Sequence, residues 1–448
     1  MTDNLLDDSL KWGEKLQEDS SICRKQLHYF SPDSGVQYNT SGNITINIHN
    51  SDDFYFPSAS YLEITGKLIK EKTVDTPFGA SDVMGFTNYG VLNLFTLARY
   101  CANGTPIEQV PQPGVVATLL ALALFPNDFK QGLLEGYYPD TNATVSKVEK
   151  SATDHTLDCD NMGWFIRRKP IIDAEGNFQV AIPLCRVFGF AEDYQKVIYG
   201  LNHSVVFTKG TDSNNALYTK PGTGLNTASV KGNVVLKLMR WVIPRVDPSD
   251  VAKYALLQQI ENRIVLDCGF RMREYQCANV DKGQTNWTWR IGVRSSPEKP
   301  RFIMIAFQSN LRDDQDKNNS VFSHCNVQNI SIMMNSDRYP LNDFTADFGT
   351  GKYTNLYWEF MNFRQAYYGI DSRVSSTSVD PLTYKELYPI FCFDLTRQSE
   401  RLKSGVTDIS LSCTFTEGVA AATVCHAVVI SDRRIKFQSN GSKMTVLW

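Results

Sequence analysis

The sequence predicts an all-β fold in which a unit of about eight strands occurs twice in tandem. Three observations carry that reading: short apolar runs that alternate with period two, an ordered set of landmarks that recurs in both halves, and a length of 448 residues. A chain of that length outgrows one hydrophobic core of ordinary size, so two cores are the simplest arrangement. With 42% hydrophobic and 21% charged residues, the composition suits a chain that folds and buries them.

The alternation is seen in Ile44, Ile46 and Ile48, and again in Phe178, Val180, Ile182 and Leu184. It returns in Trp287, Trp289, Ile291 and Val293, in Ile303, Ile305 and Phe307, and in Ile409, Leu411, Cys413 and Phe415. Successive side chains of an extended segment point to opposite faces, so each run has one face for a core and one polar face. Gly, Pro, Asn, Asp and Ser bound these runs as turn formers.

Helices are predicted at 114–125, at about 353–363, and within DPSDVAKYALLQQIENR. In the last, Ser249 and Asp250 stand at N-cap positions after Pro244 and Pro248, and Val251, Tyr254, Ala255 and Ile260 form an apolar stripe. We read residues 247–262 as a connector helix between two β units, 30–246 and 263–448. Residues 1–29 read as an amphipathic arm, with a frayed terminus the preferred reading and docking of Leu5, Leu6 and Trp12 on a neighbour the alternative.

Four landmarks recur in the same order on either side of the connector. The first is a strand, a Pro-containing turn and a strand, NITINIHNSDDFYFPSASYLEITG against WTWRIGVRSSPEKPRFIMIAF. The second is a strand, an Asn and Pro turn and a short helix, FTLARYCANGTPI with GVVATLLALALFPNDF against ISIMMNSDRYPL with YTNLYWEFMNF. The third aligns Pro183, Cys185, Lys196 and Gly200 with Pro389, Cys392, Lys403 and Gly405. The fourth is a closing apolar strand, VVLKLMRWVIPRV against TVCHAVVISDRRI.

Eight strands in two facing sheets fit a Greek-key sandwich or a jelly roll, and the helix held inside each repeat favours the latter. The expectation is therefore two tandem eight-stranded jelly-roll barrels with short helices in the loops. Asn103, Gly104 and Pro106 in one copy, Asn335 and Pro340 in the other, and Gly200 with Gly405 are assigned to structural turns. Residues 126–175, which include the polar, unpatterned stretch NATVSKVEKSATDHTLDCDN, are expected to form an exposed loop, and 369–386 a second one.

Several function classes find no support. A net charge of −3 offers no overall field for a polyanion, so sequence-specific nucleic-acid binding is not expected. Arg271, Arg273, Arg290, Arg294 and Arg301 are candidates for a local basic face, with Arg290 and Arg294 opposite the apolar side of their strand. The longest apolar run, Gly114 to Phe125, falls short of the ~20 residues of a membrane-spanning helix. No secretory pattern opens the chain, so synthesis in cytoplasm or nucleus is expected.

The six histidines, His28, His49, His155, His203, His324 and His426, form no HxH or HExxH pair. GxSxG and GxxxxGK[ST] are missing as well, so neither enzyme nor cofactor is expected. Asp313 and Asp314 read as a solvated turn, and the ten cysteines, without CxxC, as small core side chains.

The stretches GFAEDYQKVIYGLNHSVVFTKGTDSNNAL, LKLMRWVIPRVDPSDVAKYALL, EKPRFIMIAFQSN, FSHCNVQNISIMMNSDRYPLN, FRQAYYG and LTRQSERLKSG carry a resemblance. Together they look like the double jelly-roll major capsid proteins of Polinton (Maverick) elements and adintovirus-like viruses, the lineage of adenovirus hexon and virophage capsids. The similarity runs from roughly residue 185 to 435. It implies a homotrimer whose six barrels give a hexon-like capsomer, a capsid lattice built from such trimers, and minor capsid, penton and cement proteins as partners. It also implies residence in the virion around a DNA genome. A jelly-roll attachment protein that binds a receptor or glycan is the other reading the sequence leaves open.

Overall fold

The computed structural model describes residues 21–33, 36–49, 52–70, 84–126, 128–145, 160–219, 231–294, 299–371, 376–398, 405–439 and 444–447. The chain begins with β1 (Ile22–Phe30) and β2 (Gly42–Ile48), the second burying Ile44, Ile46 and Ile48. Next come β3 (Phe54–Tyr55), β4 (Tyr61–Lys70), β5 (Gly85–Phe86), β6 (Phe95–Ala102) and β7 (Thr105–Pro111). Helices α1 (Pro113–Leu124), α2 (Gly132–Glu135) and α3 (Met162–Ile171) separate β7 from β8 (Asn177–Pro183). Helices α4 (Leu184–Val187) and α5 (Gly189–Asp193) then lead to β9 (His203–Lys209), β10 (Leu217–Tyr218) and β11 (Gly232–Pro248).

Helix α6 (Asp250–Glu261) opens the second half. It is followed by β12 (Leu266–Val280), β13 (Asn286–Arg294), β14 (Pro300–Ser309), β15 (Val327–Met334) and β16 (Asp337–Tyr339). Helices α7 (Thr354–Tyr368) and α8 (Pro381–Glu386) precede β17 (Ile390–Asp394), β18 (Thr407–Phe415), β19 (Thr423–Ser439) and β20 (Met444–Leu447).

The first half forms two facing sheets, β1-β11-β4-β8 and β2-β9-β6-β7; the second forms β12-β19-β14-β17 and β13-β18-β15-β16. The four strands along each sheet of one half have their counterparts at the same places in the other, which is the jelly-roll order written twice; β3, β20 and the small sheet β5–β10 stand outside this correspondence. The four landmarks fall on equivalent strands. Residue by residue the third one slips, because Pro183 closes β8 and Cys185 lies in α4, whereas Pro389 precedes β17 and Cys392 lies within it. The two segments share residue types, but one leaves its strand where the other enters.

Antiparallel pairing places the connections at two ends. Ile22 pairs with Pro248, Tyr61 with Val242 and Pro183, and His203 with Ile48 and Ala102. The start of β1, the β6–β7 turn, α4, α5 and α6 therefore share one end, here called the connector end. The insertions between β7 and β8 and between β16 and β17 lie at the other. A continuous apolar core runs through both barrels. Helix α1, buried from Val116 to Leu124, packs on α7, and Arg364 Nε of α7 donates to Leu124 O at 2.8 Å.

Three expectations change. Residues 22–29 of the expected arm belong to a barrel strand, β1, paired with β11 from Ile22 to Phe30; β1 is an edge strand with both faces mostly exposed, so it carries no alternation. Leu5, Leu6 and Trp12 lie outside the described residues. The apolar stripe of α6 does not pack as a whole: Ser249 does cap the helix, but Val251 is 83% and Tyr254 70% exposed. Residues 126–175 and 369–386 are not simply exposed loops, since Glu135, Asp140, Asn161, Trp164, Arg167 and Tyr384 within them are buried. Residues 127, 146–159 and 372–375 of those segments lie outside the described residues.

Candidate functional site at the barrel junction and free edges

The two barrels meet where edge strand β12 of the second lies against edge strand β7 and helix α5 of the first. Gly189, which opens α5, permits this approach: a Cβ there would stand 1.7 Å from Arg271 O. Glu108 on β7 is 1% exposed and accepts from Phe190 N at 2.8 Å and Arg273 N at 2.9 Å, linking α5 to the second barrel.

Arg273 is as deeply enclosed. It donates to Arg186 O at 2.6 Å, to Cys185 O at 2.9 Å and to Glu192 Oε2 at 2.5 Å. Tyr367 Oη from α7 donates to the same carboxylate oxygen at 2.7 Å. Arg271 grips Asp193 through Nε at 2.9 Å and Nη2 at 2.5 Å, with its guanidinium 3.8 Å above the Tyr367 ring. These ions are paired in a low-dielectric seam, where a missing partner is costly.

The candidate basic face is reduced accordingly. Arg271 and Arg273 are consumed by the seam, and Arg301 pairs with Asp432 at 2.8 Å. Arg290 is exposed and pairs with Asp408 at 2.9 Å. Arg294 belongs to β13, but its side chain lies outside the described residues.

Burial pushes the Glu108 carboxyl up to about 7, opposed by the charge of Arg273 and by the backbone donors of Phe190, Arg273 and Gly189. An acid whose folded pKa is raised stabilises the fold below its unfolded value and loses that contribution as pH rises through the folded one. In denaturant titrations from pH 4.5 to 8, the wild type should therefore lose up to ~3 kcal/mol relative to Glu108→Gln. A difference independent of pH would refute this assignment.

At the insertion end a second polar hub joins the barrels. Arg167, 1% exposed, donates to Phe86 O at 3.1 Å, Asn88 Oδ1 at 2.9 Å, Tyr138 O at 2.6 Å and Asp140 Oδ1 at 3.2 Å. Asp140 N donates to Tyr388 Oη of the second barrel at 2.6 Å. A cleft of about 360 Å³ opens beside this hub, lined by Phe129, Tyr138, Tyr357, Thr377 and Asp380 among others. Asp380 is already engaged in capping α8 through Leu382 N and Thr383 N.

Asn103, Gly104, Gly200 and Asn335 lie at the connector end of their barrels. Asn103 and Gly104 take φ of +49° and +77°, and Asn335 takes +54°, all in the left-handed region. Asn103 N donates to Asn202 O and its Oδ1 accepts from Asn202 N, both at 2.8 Å. Asn335 repeats the pair with Asp408 at 2.9 Å each way. Pro106 lies in β7 and Pro340 just after β16. Gly200, with φ of +78°, accepts from Met444 N at 3.1 Å, and Asn103 Nδ2 donates to Met444 O at 2.5 Å, so the first barrel holds β20 of the second. Gly405 O accepts from Lys299 Nζ at 2.5 Å.

His203 and His426 are buried in hydrogen bonds to Tyr100 Oη at 2.8 Å and Tyr275 Oη at 2.7 Å, and burial lowers their pKa to about 4 and about 3. They are structural. Asp313 exchanges hydrogen bonds with Asn215, and Asp314 lies near Lys231 and Lys317. Among the described residues no three His, Cys, Asp or Glu side chains form a metal-binding group, and no helix is long and apolar enough to cross a membrane. What the arrangement leaves open among the described residues is surface, including edge strand β1, both faces of which are mostly exposed, and edge strand β16, whose residues are half-buried.

No curated protein matches the sequence of this chain. Solved structures do match its fold. A chain of the Sputnik virophage aligns with TM-score 0.59 and 10% identity over 99% of this chain and 92% of its own. The mavirus major capsid protein gives 0.55 and 13% over 99% and 93%. The Faustovirus major capsid protein gives 0.53 and 10% over 96% and 93%. A model of the double jelly roll-like domain matches residues 140–435. With two barrels of one strand order joined through a shared seam, and that match over most of its length, the chain belongs to the double jelly roll-like family.

Proposed function

We propose that this chain is a major capsid protein that assembles with copies of itself, three to a capsomer of near-hexagonal outline, into an icosahedral shell around a DNA genome. The observation that carries the reading is the duplicated order of two four-stranded sheets, joined by a buried seam, in a chain that matches the fold of virophage capsid proteins from end to end. Two like barrels per chain let a threefold assembly fill a hexagonal lattice, and symmetry repeats each modest contact until the shell closes.

In this reading residues 22–248 and 266–447 are the two building units, α6 joins them, the connector end faces the interior and the insertions face outward. The titratable groups of the seam act as structural pins, because they are enclosed and paired. Minor capsid, penton and cement proteins are the further partners, and the virion shell is the site of action.

Light scattering tests the proposal. Three chains of 50.6 kDa should give a species of 151.8 kDa, or larger shells. A protein that remains at 50.6 kDa at high concentration would overturn it.

A further inference from the structure

The cleft beside the Arg167 hub is walled by both halves of the chain. Phe129, Tyr137 and Tyr138 come from the insertion of the first barrel, and Tyr357, Ser378 and Asp380 from that of the second. The two walls are fastened together, because Pro126 bridges to Thr377 and Ser378 N donates to Phe125 O at 3.1 Å. Tyr357 Oη donates to Val379 O at 3.0 Å, which holds its ring, and the ring of Phe129 rests on Phe125 with centroids 4.3 Å apart. Phe129, Tyr138 and Tyr357 are each half-buried, so part of each stays open to solvent.

Inside the cleft two hydroxyls have unmet hydrogen-bonding capacity. Tyr137 is 2% exposed, and its ring packs on both Tyr89 and Phe125. Its hydroxyl neighbours that of Ser378, yet neither oxygen completes a hydrogen bond among the described residues. Burial raises the pKa of Tyr137, so the group is a neutral O–H. A buried hydroxyl without a partner is costly, and a ligand hydroxyl that meets it removes that cost.

Charge narrows the choice of ligand. Asp140 and Asp380 are the charged residues of the lining, with no Lys or Arg beside them. Asp140 is spent on Arg167. Asp380 accepts from Leu382 N, Thr383 N and Thr383 Oγ1, and as an ionised carboxylate it keeps a further acceptor site. An anionic ligand would meet a carboxylate with no counter-charge, and a wholly apolar one would leave Tyr137 and Ser378 unmet. A neutral sugar satisfies both demands: its hydroxyls suit the polar groups, and its C–H faces suit the electron-rich face of an aromatic ring.

We propose that this cleft binds a neutral hexopyranose, with Tyr137, Ser378 and Asp380 bonding its hydroxyls and the rings of Tyr138 and Tyr357 packing on its C–H faces. At about 360 Å³ the cleft is of the size that takes small ligands. The insertions face outward in the proposed shell, so the sugar belongs to a host-surface glycan. That last assignment rests on the capsid reading, whereas the cleft is complete in one chain.

A glycan array probed with the assembled protein, carrying neutral, sialylated and sulfated glycans side by side, tests the proposal, with saturation-transfer NMR to measure affinity. Glycans ending in a neutral hexose should bind, and acidic ones about tenfold more weakly or worse. Tyr137→Phe deletes one oxygen that has no partner, so the thermal midpoint should hold or rise while sugar binding weakens about five- to tenfold. Tyr138→Ala should weaken binding about tenfold. Both variants should assemble as the wild type does.

Three results overturn the site and leave assembly untouched: no neutral glycan bound by the assembled protein, a preference for acidic glycans, or wild-type affinity in both variants. A protein that binds neutral glycans through Tyr137 and Tyr138 but stays at 50.6 kDa overturns the capsid reading and upholds the cleft.

Discussion

Replacing Arg273 by methionine should lower the unfolding free energy by about 3–5 kcal/mol. Methionine roughly keeps the bulk but removes the donors that satisfy Arg186 O, Cys185 O and Glu192 Oε2. The Glu192 carboxylate then stays in the seam with the Tyr367 hydroxyl as its chief donor, and two half-buried carbonyls lose a donor. Denaturant unfolding of the single chain measures the loss. Arg290→Ala is the control, since its guanidinium is exposed and its bond to Asp408 lies in solvent; the midpoint should hardly move. Equal losses in the two variants would mean that the seam does not hold the barrels together.

Arg167→Met should cost about as much, again about 3–5 kcal/mol, at the opposite end of the molecule. Arg167 is the single donor group that ties Phe86 O, Asn88, Tyr138 O and the buried Asp140 into one hub. Without it the Asp140 carboxylate retains Asn88 and Asn161 but has lost its counter-charge. The insertion between β7 and β8 should loosen first, so limited proteolysis within residues 126–176 should quicken before the barrels unfold. Adding Asp140→Asn should recover part of the loss, because the two residues are coupled. Strictly additive losses would show that the pair is not the core of the hub.

Much of the barrel architecture was legible because half-buried strands advertise themselves. In β18 the alternation Ile409, Leu411, Cys413, Phe415 is also the pattern of burial. The N-cap at Ser249 was readable for a similar local reason: its oxygen accepts from Ala252 N. β1 was missed because an edge strand exposed on both faces has no period to read. The insertions were misread because burial there is achieved with polar groups, and nothing in GWFIRRKP marks Arg167 as enclosed.

The seam was hidden for a related reason. Arg271 and Arg273 share one face of β12, which the pattern marks as outward, and outward from the second barrel is into the first. A charged side chain reads as solvated by default, and only the docking of two barrels overrides that. Gly189 has a similarly long-range cause, since its neighbour, Arg271 O, is far away in sequence.

The activity proposed for the chain is assembly, three copies closing into a ring of six barrels. Cryo-electron microscopy of the purified protein should show that ring, with every α6 at one end and the helical insertions at the other. Images of isolated single chains, or of twofold pairs, would refute the proposal.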